Sequence, residues 1–416
     1  MFKKNHIKSK GLKLFASCLL AGLLSACGGG SSDGITAYTA VVDAGSSGSR
    51  IYLYSSTANG DFGTIQTLFD YAPKNLTGLS SFSNAPSQAG PQEIQPLLNY
   101  LNSFLAGQKL LKSQVSVNVL ATAGMRTVDP ATSSAIYQSV TNSIVSSGYA
   151  PAKVETISGQ NEGLYSWADI NYLEGALQAK TTPYGIVEIG GASAQIAYIS
   201  SDLKNPNILT ITINGVPYSI FSISYLGLGQ NSARQAMINS QAAGGGLINN
   251  ACYTSNYQFG ANPGDPGPAP GVTSLTGAYD YGKCSTLYTS VINGFNVSGT
   301  ANAAGFNTAR FLAIGGSVSG AIGNWGLTNQ APTVLASQVQ TYCQSASWAN
   351  FLATFGAFGA TKFLQPQCAN STYLSTFLYG PSALSLGANQ LSSITDINGT
   401  VTTWTLGYVL ISQFSH

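Results

Sequence analysis

One stretch of the chain and its later repeat indicate the fold. The stretch reads Val41-Val42-Asp43-Ala44-Gly45-Ser46-Ser47-Gly48-Ser49-Arg50-Ile51-Tyr52-Leu53-Tyr54. Its repeat reads Ile186-Val187-Glu188-Ile189-Gly190-Gly191-Ala192-Ser193-Ala194-Gln195-Ile196-Ala197-Tyr198, and an offset of 145 residues aligns Asp43 with Glu188. In both, an apolar β-branched run ends in a carboxylate, passes through small residues and resumes as an apolar strand. This pattern is typical of a tight hairpin.

A carboxylate beside a turn of small residues can serve two purposes. Small residues let backbone N–H groups approach an anion closely, and the carboxylate can hold a divalent cation through water. One such turn indicates only a hairpin, but its repetition with the carboxylate in place favours two related lobes. Each lobe would contribute one phosphate-binding turn to a shared cleft.

The start of the chain has the pattern of an export signal. Five lysines precede an apolar run over residues 14–24, which is too short to span a membrane. The run ends in Leu24-Ser25-Ala26-Cys27. This predicts a lipoprotein-type signal peptide over residues 1–26.

A flexible Gly-Ser tether follows at residues 27–35. The tether favours lipid attachment at Cys27, although an ordinary cleaved signal with an incidental cysteine is the alternative. Gly28, rather than Asp, after this cysteine resembles bacterial lipoproteins sent to the outer membrane. We expect an extracytoplasmic protein, secreted or held at the outer membrane of a bacterium, that meets the membrane only through its lipid.

Removal of the signal would make the chain acidic. The sequence has 17 basic and 15 acidic residues and a formal net charge of +2. Without the five lysines of the signal, 12 basic residues face the same 15 acidic ones. No basic run or basic helix face is present, which argues against nucleic acid as a partner.

Four cysteines remain beyond the signal and tether: Cys252, Cys284, Cys343 and Cys368. In an oxidising compartment they predict two disulfides, with three possible connectivities. The shortest loops favour Cys252 with Cys284 and Cys343 with Cys368. A zinc site is the alternative, but no pair of these cysteines has tight ligand spacing.

The histidine content restricts the chemistry. The only histidines are His6, in the predicted signal, and His416, which excludes a Ser-His-Asp triad and histidine-rich zinc sites. Phosphoryl transfer to water fits what remains, because it needs positioning, charge neutralisation and one group to orient or deprotonate the water. Glu162, which opens a helix, is the candidate base; alternatively, it only interacts with the helix dipole.

Two other chemistries meet part of this pattern. Glycoside hydrolysis also uses two carboxylates, but it does not explain the repeated anion-binding turns. A nucleotide kinase would explain the turns, but a secreted protein meets little ATP and the sequence reveals no pocket for a second substrate.

The rest of the chain alternates between helices and strands. Apolar periodicity predicts helices near residues 97–105, 133–146, 162–173 and 232–238, and strands near 115–120, 154–157, 209–213 and 216–223. Residues 403–414 are expected to form a closing helix or a strand followed by a helix. Residues 242–300 are rich in Gly, Pro and Asn, and we expect a disulfide-pinned loop there. About 390 residues beyond the signal fit two lobes better than one core.

Together these motifs resemble the apyrase family, the nucleoside triphosphate diphosphohydrolases, in the order of its conserved regions. The matching segments are 43–50, 121–126, 159–163 with Trp167, Asn171, Tyr172, Leu173 and Gly175, and 188–196. Tyr342-Cys343, Trp348, Gln367-Cys368 and residues 404–410 also resemble the family's C-terminal half.

The resemblance implies an α/β fold of two ribonuclease H-like lobes, of the actin and hexokinase type, around a central nucleotide cleft. It implies lobe I at residues 36–160, lobe II at 161–393, and a return of 394–416 to lobe I. The expected substrates are nucleoside tri- and diphosphates, the expected cofactor is Mg²⁺ or Ca²⁺, and the expected state is a monomer.

The resemblance also implies roles for single residues. Glu162 is the general base, Ser193 and Gln195 help to hold the attacking water, and Asp43 and Glu188 hold metal-bound waters. The residues that bind phosphate or support its binding are Ser46, Ser47, Gly48, Ser49, Arg50, Thr122, Arg126, Gly190, Gly191 and Ala192.

Some positions depart from the family pattern. Glu188 stands where Asp is usual, and its extra methylene is expected to alter the metal preference. Residues 314–325 lack the aromatic-rich fifth motif, and Gln230 stands where a basic residue often follows a Tyr-Leu-x-x-Gly segment. Family members bind the nucleotide base at the positions that correspond to the fifth motif and to Gln230, so the base preference stays open.

The sequence therefore predicts an enzyme that hydrolyses nucleoside tri- and diphosphates to the monophosphate. An exopolyphosphatase-like phosphohydrolase is the first alternative; it would share the turns but not the Trp167, Asn171-Tyr172 and 404–408 patterns. A non-catalytic nucleotide-binding surface lipoprotein is the second.

Overall fold

Two mixed β-sheets carry the two predicted hairpins. The computed structural model describes residues 36–415 apart from 60, 61, 74, 243–247, 259–271, 273 and 345. The predicted signal peptide, the tether and the lipid site at Cys27 lie outside the described residues.

The secondary structure alternates throughout. The strands are β1 (Thr36–Gly45), β2 (Gly48–Asn59), β3 (Phe62–Tyr71), β4 (Val115–Ala121), β5 (Pro151–Thr156), β6 (Gly185–Ile189), β7 (Ser193–Ile199), β8 (Ile208–Ile213), β9 (Val216–Leu226), β10 (Ile248–Asn250), β11 (Leu275–Gly277), β12 (Phe311–Ile314), β13 (Leu391–Ser393), β14 (Asp396–Ile397) and β15 (Thr400–Val401). The helices are α1 (Gln95–Gln108), α2 (Pro130–Ser146), α3 (Gly159–Leu173), α4 (Ala176–Ala179), α5 (Gln230–Gln241), α6 (Tyr281–Asn293), α7 (Val297–Thr300), α8 (Gly316–Asn324), α9 (Val334–Gln338), α10 (Trp348–Phe355), α11 (Thr361–Leu364), α12 (Gln367–Tyr379) and α13 (Trp404–Phe414).

The repeated stretches form the same structure in the two sheets. The first sheet has the order β3-β2-β1-β4-β5 and the second β13-β12-β6-β7-β9-β8. In the first hairpin Asp43 pairs with Arg50, and in the second Glu188 pairs with Gln195. Both carboxylate-bearing strands, β1 and β6, also have a parallel neighbour, β4 and β12 respectively. The predicted hairpins and their common offset are therefore confirmed.

Helices α3 and α13 pack between the two sheets. One buried apolar cluster combines residues of α3 and α13 with Val41 and Tyr54 of the first sheet and Ile186 and Ala197 of the second. The outer face of the first sheet packs on α1 and α2, and that of the second on helices that include α5, α6 and α12. This layering places α3 where it can contact both hairpins.

The C-terminal helix is fixed by polar contacts as well as packing. The Tyr54 hydroxyl lies 2.6 Å from that of Thr405, and the Tyr408 hydroxyl donates to Asn118 at 3.0 Å. Of the two alternatives predicted for residues 403–414, the single helix is present as α13, and these contacts hold it against the first sheet. The lobe boundaries at 36–160, 161–393 and 394–416 stay predictions.

The prediction of a loop over residues 242–300 is wrong for the second half of that range. Helix α6 begins after Asp280, whose carboxylate accepts a hydrogen bond from the Lys283 amide at 3.0 Å. Cys284, Tyr288 and Ile292 recur at four-residue spacing and are fully buried. This apolar stripe forms a helix face, which the Gly-, Pro- and Asn-rich composition of the region as a whole obscured.

Both predicted disulfides are present. Cys252 is bonded to Cys284, and Cys343 to Cys368. All four sulfurs lie in the buried cluster on the outer face of the second sheet. Because all four thiols are consumed, the alternative of a cysteine zinc site is excluded.

Replacing both cysteines of either pair with serine should lower the free energy of unfolding by about 2–4 kcal/mol. Each bond closes a loop, with sequence separations of 32 and 25 residues, and its loss gives the unfolded chain more freedom. Chemical denaturation of each double variant measures the effect. Non-reducing peptide mapping of protein from its native envelope should recover the same pairs, whereas free thiols there would contradict them.

No helix within the described part of the chain is both long enough and apolar enough to cross a membrane.

Candidate active site

The turns of the two hairpins lie next to each other. A Cβ atom added to Gly191 would be 2.9 Å from the Ser46 hydroxyl oxygen, and one added to Gly124 would be 3.1 Å from Ser46 Cα. Real side chains would be crowded there, so glycine permits this close approach. The first, second and fourth motifs thus meet at one place, as the sequence predicted for a shared cleft.

The start of α5 fixes the second turn. The amides of Gln230 and Asn231 donate to the carbonyl oxygens of Gly190 and Gly191 at 2.8 and 2.9 Å. Gly229, just before the helix, has no room for a Cβ because Gly191 and Ala192 press against it. The turn is therefore held in one conformation.

Glu162 projects from the first turn of α3. The helix begins there because the Ser158 hydroxyl accepts a hydrogen bond from the Asn161 amide at 3.1 Å. The Glu162 carboxylate is buried and forms an ion pair with Arg126. Burial raises the pKa of Glu162, and the Arg126 charge opposes that rise. A raised pKa suits a carboxylate that accepts a proton near neutral pH.

Gln195 links Glu162 to the fourth motif. Its Nε2 atom lies within hydrogen-bond distance of three oxygens: Glu162 Oε2 at 3.0 Å, Ser193 Oγ at 2.6 Å and Ser224 Oγ at 3.2 Å. Its Oε1 atom is buried and has no hydrogen-bond donor among the described residues. This oxygen is an acceptor available to a water molecule beside the Glu162 carboxylate.

Asp43 and Glu188 lie near the ends of β1 and β6, the first strands of the two hairpins. Burial and the Glu162 charge raise the pKa of Asp43 to about 7, although Arg50 and a hydrogen bond from the Trp404 side chain oppose the rise. The same two causes raise the pKa of Glu188 to about 8. The three carboxylates thus repel one another, and Arg126 is the cation paired directly with Glu162.

A hard divalent cation fits this set of groups. Carboxylate oxygens are the ligands that Mg²⁺ and Ca²⁺ prefer. A cation would offset both the burial of these charges and the repulsion from Glu162, the two causes that raise the pKa values of Asp43 and Glu188. Asp43 and Glu188 would hold it through its water ligands. In the described residues no group of three or more His, Cys, Asp and Glu side chains is placed to chelate a metal directly.

The predicted phosphate-binding residues divide into two groups. Ser46 and Ser47 lie at the tip of the first turn, with Gly191 beside them. By contrast, the Ser49 hydroxyl donates to Glu93 Oε1 at 2.7 Å, and Arg50 donates to the Tyr52 hydroxyl at 3.2 Å. The side chain of Ser49 is therefore tied to Glu93, and that of Arg50, on the opposite face of β2, to Tyr52. Binding of phosphate by either side chain stays a prediction.

Two further predicted residues also support the site. The Thr122 amide donates to the Ala44 carbonyl at 3.3 Å, which ties the second motif to the end of β1. The Arg126 Nε atom donates to the Ile157 carbonyl at 3.0 Å, so its guanidinium is held in place against Glu162. Binding of phosphate by either residue stays a prediction.

Several site residues were missed by the sequence reasoning: Glu93, Ser166, Ser224 and Gly315. Glu93 also accepts hydrogen bonds from the amides of Thr77 and Gly78, at 3.1 and 2.9 Å. Ser224 faces Gln195 because β7 and β9 pair in that register. Glu93 stands between Gln92 and Ile94 with no local pattern to mark it, and all four residues are identified by contacts between distant segments.

Two similar sheets, whose hairpin turns meet beside buried carboxylates, define the class of duplicated α/β proteins to which actin and hexokinase belong. The chain is a member of the GDA1/CD39 (nucleoside phosphatase) family, whose model matches residues 32–415.

Curated relatives match about half of the chain. A nucleoside-triphosphatase of Pisum sativum is 34% identical over 219 residues, which cover 49% of this chain and 48% of the relative. Probable apyrase 5 of Arabidopsis thaliana is 33% identical over 240 residues, covering 53% and 47%. The chain thus spans about half the length of the curated relatives it matches.

Solved structures match over most of the chain. A crystal structure of nucleoside triphosphate hydrolases from Neospora caninum has a TM-score of 0.60 at 16% identity, covering 91% of this chain and 93% of that one. A Ppx/GppA family member from Aquifex aeolicus has a TM-score of 0.51 at 11% identity, covering 91% and 98%. These likenesses confirm the predicted fold class.

Proposed function

We propose that this protein hydrolyses nucleoside tri- and diphosphates to the monophosphate and phosphate, with Mg²⁺ or Ca²⁺ and with a water activated by Glu162. The observation that carries the proposal is the contact of Gln195 with both Glu162 and Ser193. It brings a carboxylate and an available amide oxygen together beside two small-residue turns. Membership of a nucleoside phosphatase family supports the same reaction.

Each group has a distinct task in this reaction. Gln195 and Ser193 orient a water, and Glu162 takes its proton as the water oxygen bonds to the terminal phosphorus. The phosphoanhydride bond breaks and its electron pair stays with the departing nucleotide. Backbone amides of the turns at 46–48 and 190–192 neutralise phosphate charge. A bound divalent cation would add further neutralisation of the charge that develops on the phosphates.

The alternative of an exopolyphosphatase-like enzyme is less well supported. Its solved relatives resemble this chain in fold at low identity. By contrast, one residue of the patterns specific to the apyrase resemblance reaches the site, because Trp404 contacts Asp43. Another, Trp167, is fully buried in the helix that carries Glu162, and the chain belongs to a nucleoside phosphatase family. Nucleotides are therefore the preferred substrates in our proposal.

We also propose that the protein acts outside the cytoplasm of a bacterium as a secreted monomer or an outer-membrane lipoprotein anchored at Cys27. Two disulfides support an oxidising compartment. The lysine-rich start, the short apolar run and the Ser-Ala-Cys sequence support export and lipid attachment.

Purified protein should release phosphate from both ATP and ADP in the presence of Mg²⁺ or Ca²⁺, and chelation of the metal should abolish this release. A phosphate assay with ATP, ADP and polyphosphate side by side makes the comparison. Turnover of polyphosphate with neither nucleotide hydrolysed would overturn the proposal. Nucleotide binding without any phosphate release would favour the non-catalytic lipoprotein instead.

A further inference from the structure

Ser166 makes an unusual contact for a serine inside a helix. It lies in α3 one turn after Glu162 and is fully buried. Its hydroxyl donates a 2.6 Å hydrogen bond to Glu188 Oε2 on the neighbouring strand β6. Helical serines commonly bond to a carbonyl of their own helix, and serine forms helices less readily than alanine. The helix itself gives no reason for a serine at position 166, whereas the bond to Glu188 does.

The bond depends on the length of the Glu188 side chain. The family resemblance places Asp at this position, and an Asp carboxylate would be withdrawn by roughly one C–C bond, about 1.5 Å. The distance from the Ser166 hydroxyl to the carboxylate, now 2.6 Å, would then lengthen beyond the hydrogen-bond range of about 3 Å.

The bond also leaves one carboxylate oxygen of Glu188 for the cleft. Oε2 is engaged by Ser166, so Oε1 is the atom left to face a cation and its waters. Asp169, three residues further along α3, is buried and accepts a hydrogen bond from the Thr403 amide at 3.0 Å. Its Oδ2 atom is thereby tied to the start of α13, and Ser166 is the residue of α3 whose hydroxyl reaches Glu188.

We propose that Ser166 is a positioning residue: it orients the Glu188 carboxylate for divalent-cation binding, and the two residues act as a matched pair. The inference rests on the metal role of Glu188 within the proposed function. Ser166 touches neither nucleotide nor water in this proposal. It explains how the site accepts Glu where its relatives are expected to use Asp.

A double-mutant cycle tests the pair, with Ser166→Ala, Glu188→Asp and their combination in the full chain. The readout is the dissociation constant for Mn²⁺ alone, measured by electron paramagnetic resonance without nucleotide. Ser166→Ala should weaken Mn²⁺ binding about 10-fold, as loss of an outer-shell partner does. When Glu188→Asp is already present, the same change should alter the constant by less than about twofold, because the bond no longer exists to be lost.

Ser139→Ala is the matched control. Ser139 is also a buried helical serine, whose hydroxyl donates to the Ser87 carbonyl at 2.8 Å and accepts from the Gly90 amide at 3.0 Å. This control should lower the thermal midpoint and leave the Mn²⁺ constant unchanged. A serine with a merely structural role at 166 would behave in the same way.

Two results would overturn the pairing: an unchanged Mn²⁺ constant in folded Ser166→Ala, or an equal loss of affinity with and without Glu188→Asp. Phosphate release from ATP, assayed separately, distinguishes the two proposals. If the wild type hydrolyses ATP while Ser166→Ala binds Mn²⁺ normally, the pairing fails and the proposed function stands. If Mn²⁺ binding follows the predicted cycle but no nucleotide is hydrolysed, the pairing stands and the proposed function fails.

Discussion

Glu162→Gln should lower phosphate release from ATP by about 10² to 10⁴-fold, while nucleotide binding survives. Glutamine keeps the size of the side chain and can still accept a hydrogen bond from Arg126, which contacts the carboxylate in the wild type. It cannot accept the proton of the attacking water. A phosphate assay for turnover and calorimetry for nucleotide binding separate these two effects.

Glu155→Gln is the control for this prediction. Glu155 is an exposed carboxylate on β5 that faces Lys153 at 3.7 Å, so its change to glutamine should leave turnover unaltered. Thermal unfolding establishes that the Glu162→Gln protein is folded. If that folded protein hydrolysed ATP at nearly the wild-type rate, Glu162 would be only a helix-terminal carboxylate and the mechanism would be wrong.

The hairpins were predictable because their signals are local. Buried apolar runs form the strands on either side of each turn, and Gly45 and Gly48 close the first turn within a few residues of Asp43. The offset that aligns Asp43 with Glu188 in the sequence also aligns their cross-strand partners, Arg50 and Gln195, in the structure. Repetition therefore revealed the duplicated architecture without any knowledge of long-range contacts.

The supporting contacts were not predictable, because they join segments far apart in the sequence. Ser166 and Glu188 are 22 residues apart, and Gln195 and Ser224 are 29 apart. Which of the many serines meets a carboxylate depends on how α3 lies on the second sheet and on the register of β7 and β9. Neither quantity is encoded in local periodicity.

Helix α6 illustrates a different limit of sequence reasoning. Its apolar stripe was present in the sequence, but the glycines and prolines of the preceding segment dominated the composition of the region. The short strand β12 was missed for a different reason: Phe311–Ile314 has only four residues, all of them buried, and no repeated carboxylate-and-turn pattern marks it. Periodicity alone does not tell such a short apolar run from a segment of a buried helix.

Asp43→Asn and Glu188→Gln should each weaken divalent-cation binding by about 10- to 100-fold and lower turnover with it. Either change removes one negative charge from a group placed to hold the waters of the cation. The metal concentration that gives half-maximal phosphate release should therefore rise, and excess metal should restore part of the rate. No such rescue is expected for Glu162→Gln, because that carboxylate acts on the attacking water.

Glu188→Asp and Asp396→Asn complete the comparison. Glu188→Asp keeps the charge but shortens the side chain, so activity should persist with an altered preference between Mg²⁺ and Ca²⁺. Asp396, an exposed residue that accepts from the Gly399 amide at 3.1 Å, should be replaceable by Asn without effect on the metal dependence. If Asp43→Asn left the half-maximal metal concentration unchanged, this carboxylate would not act through the cation. In that case the change of Asp43 to the amide would act on the hairpin turn itself. Thermal unfolding would then show a loss of stability, while the metal dependence would be unchanged.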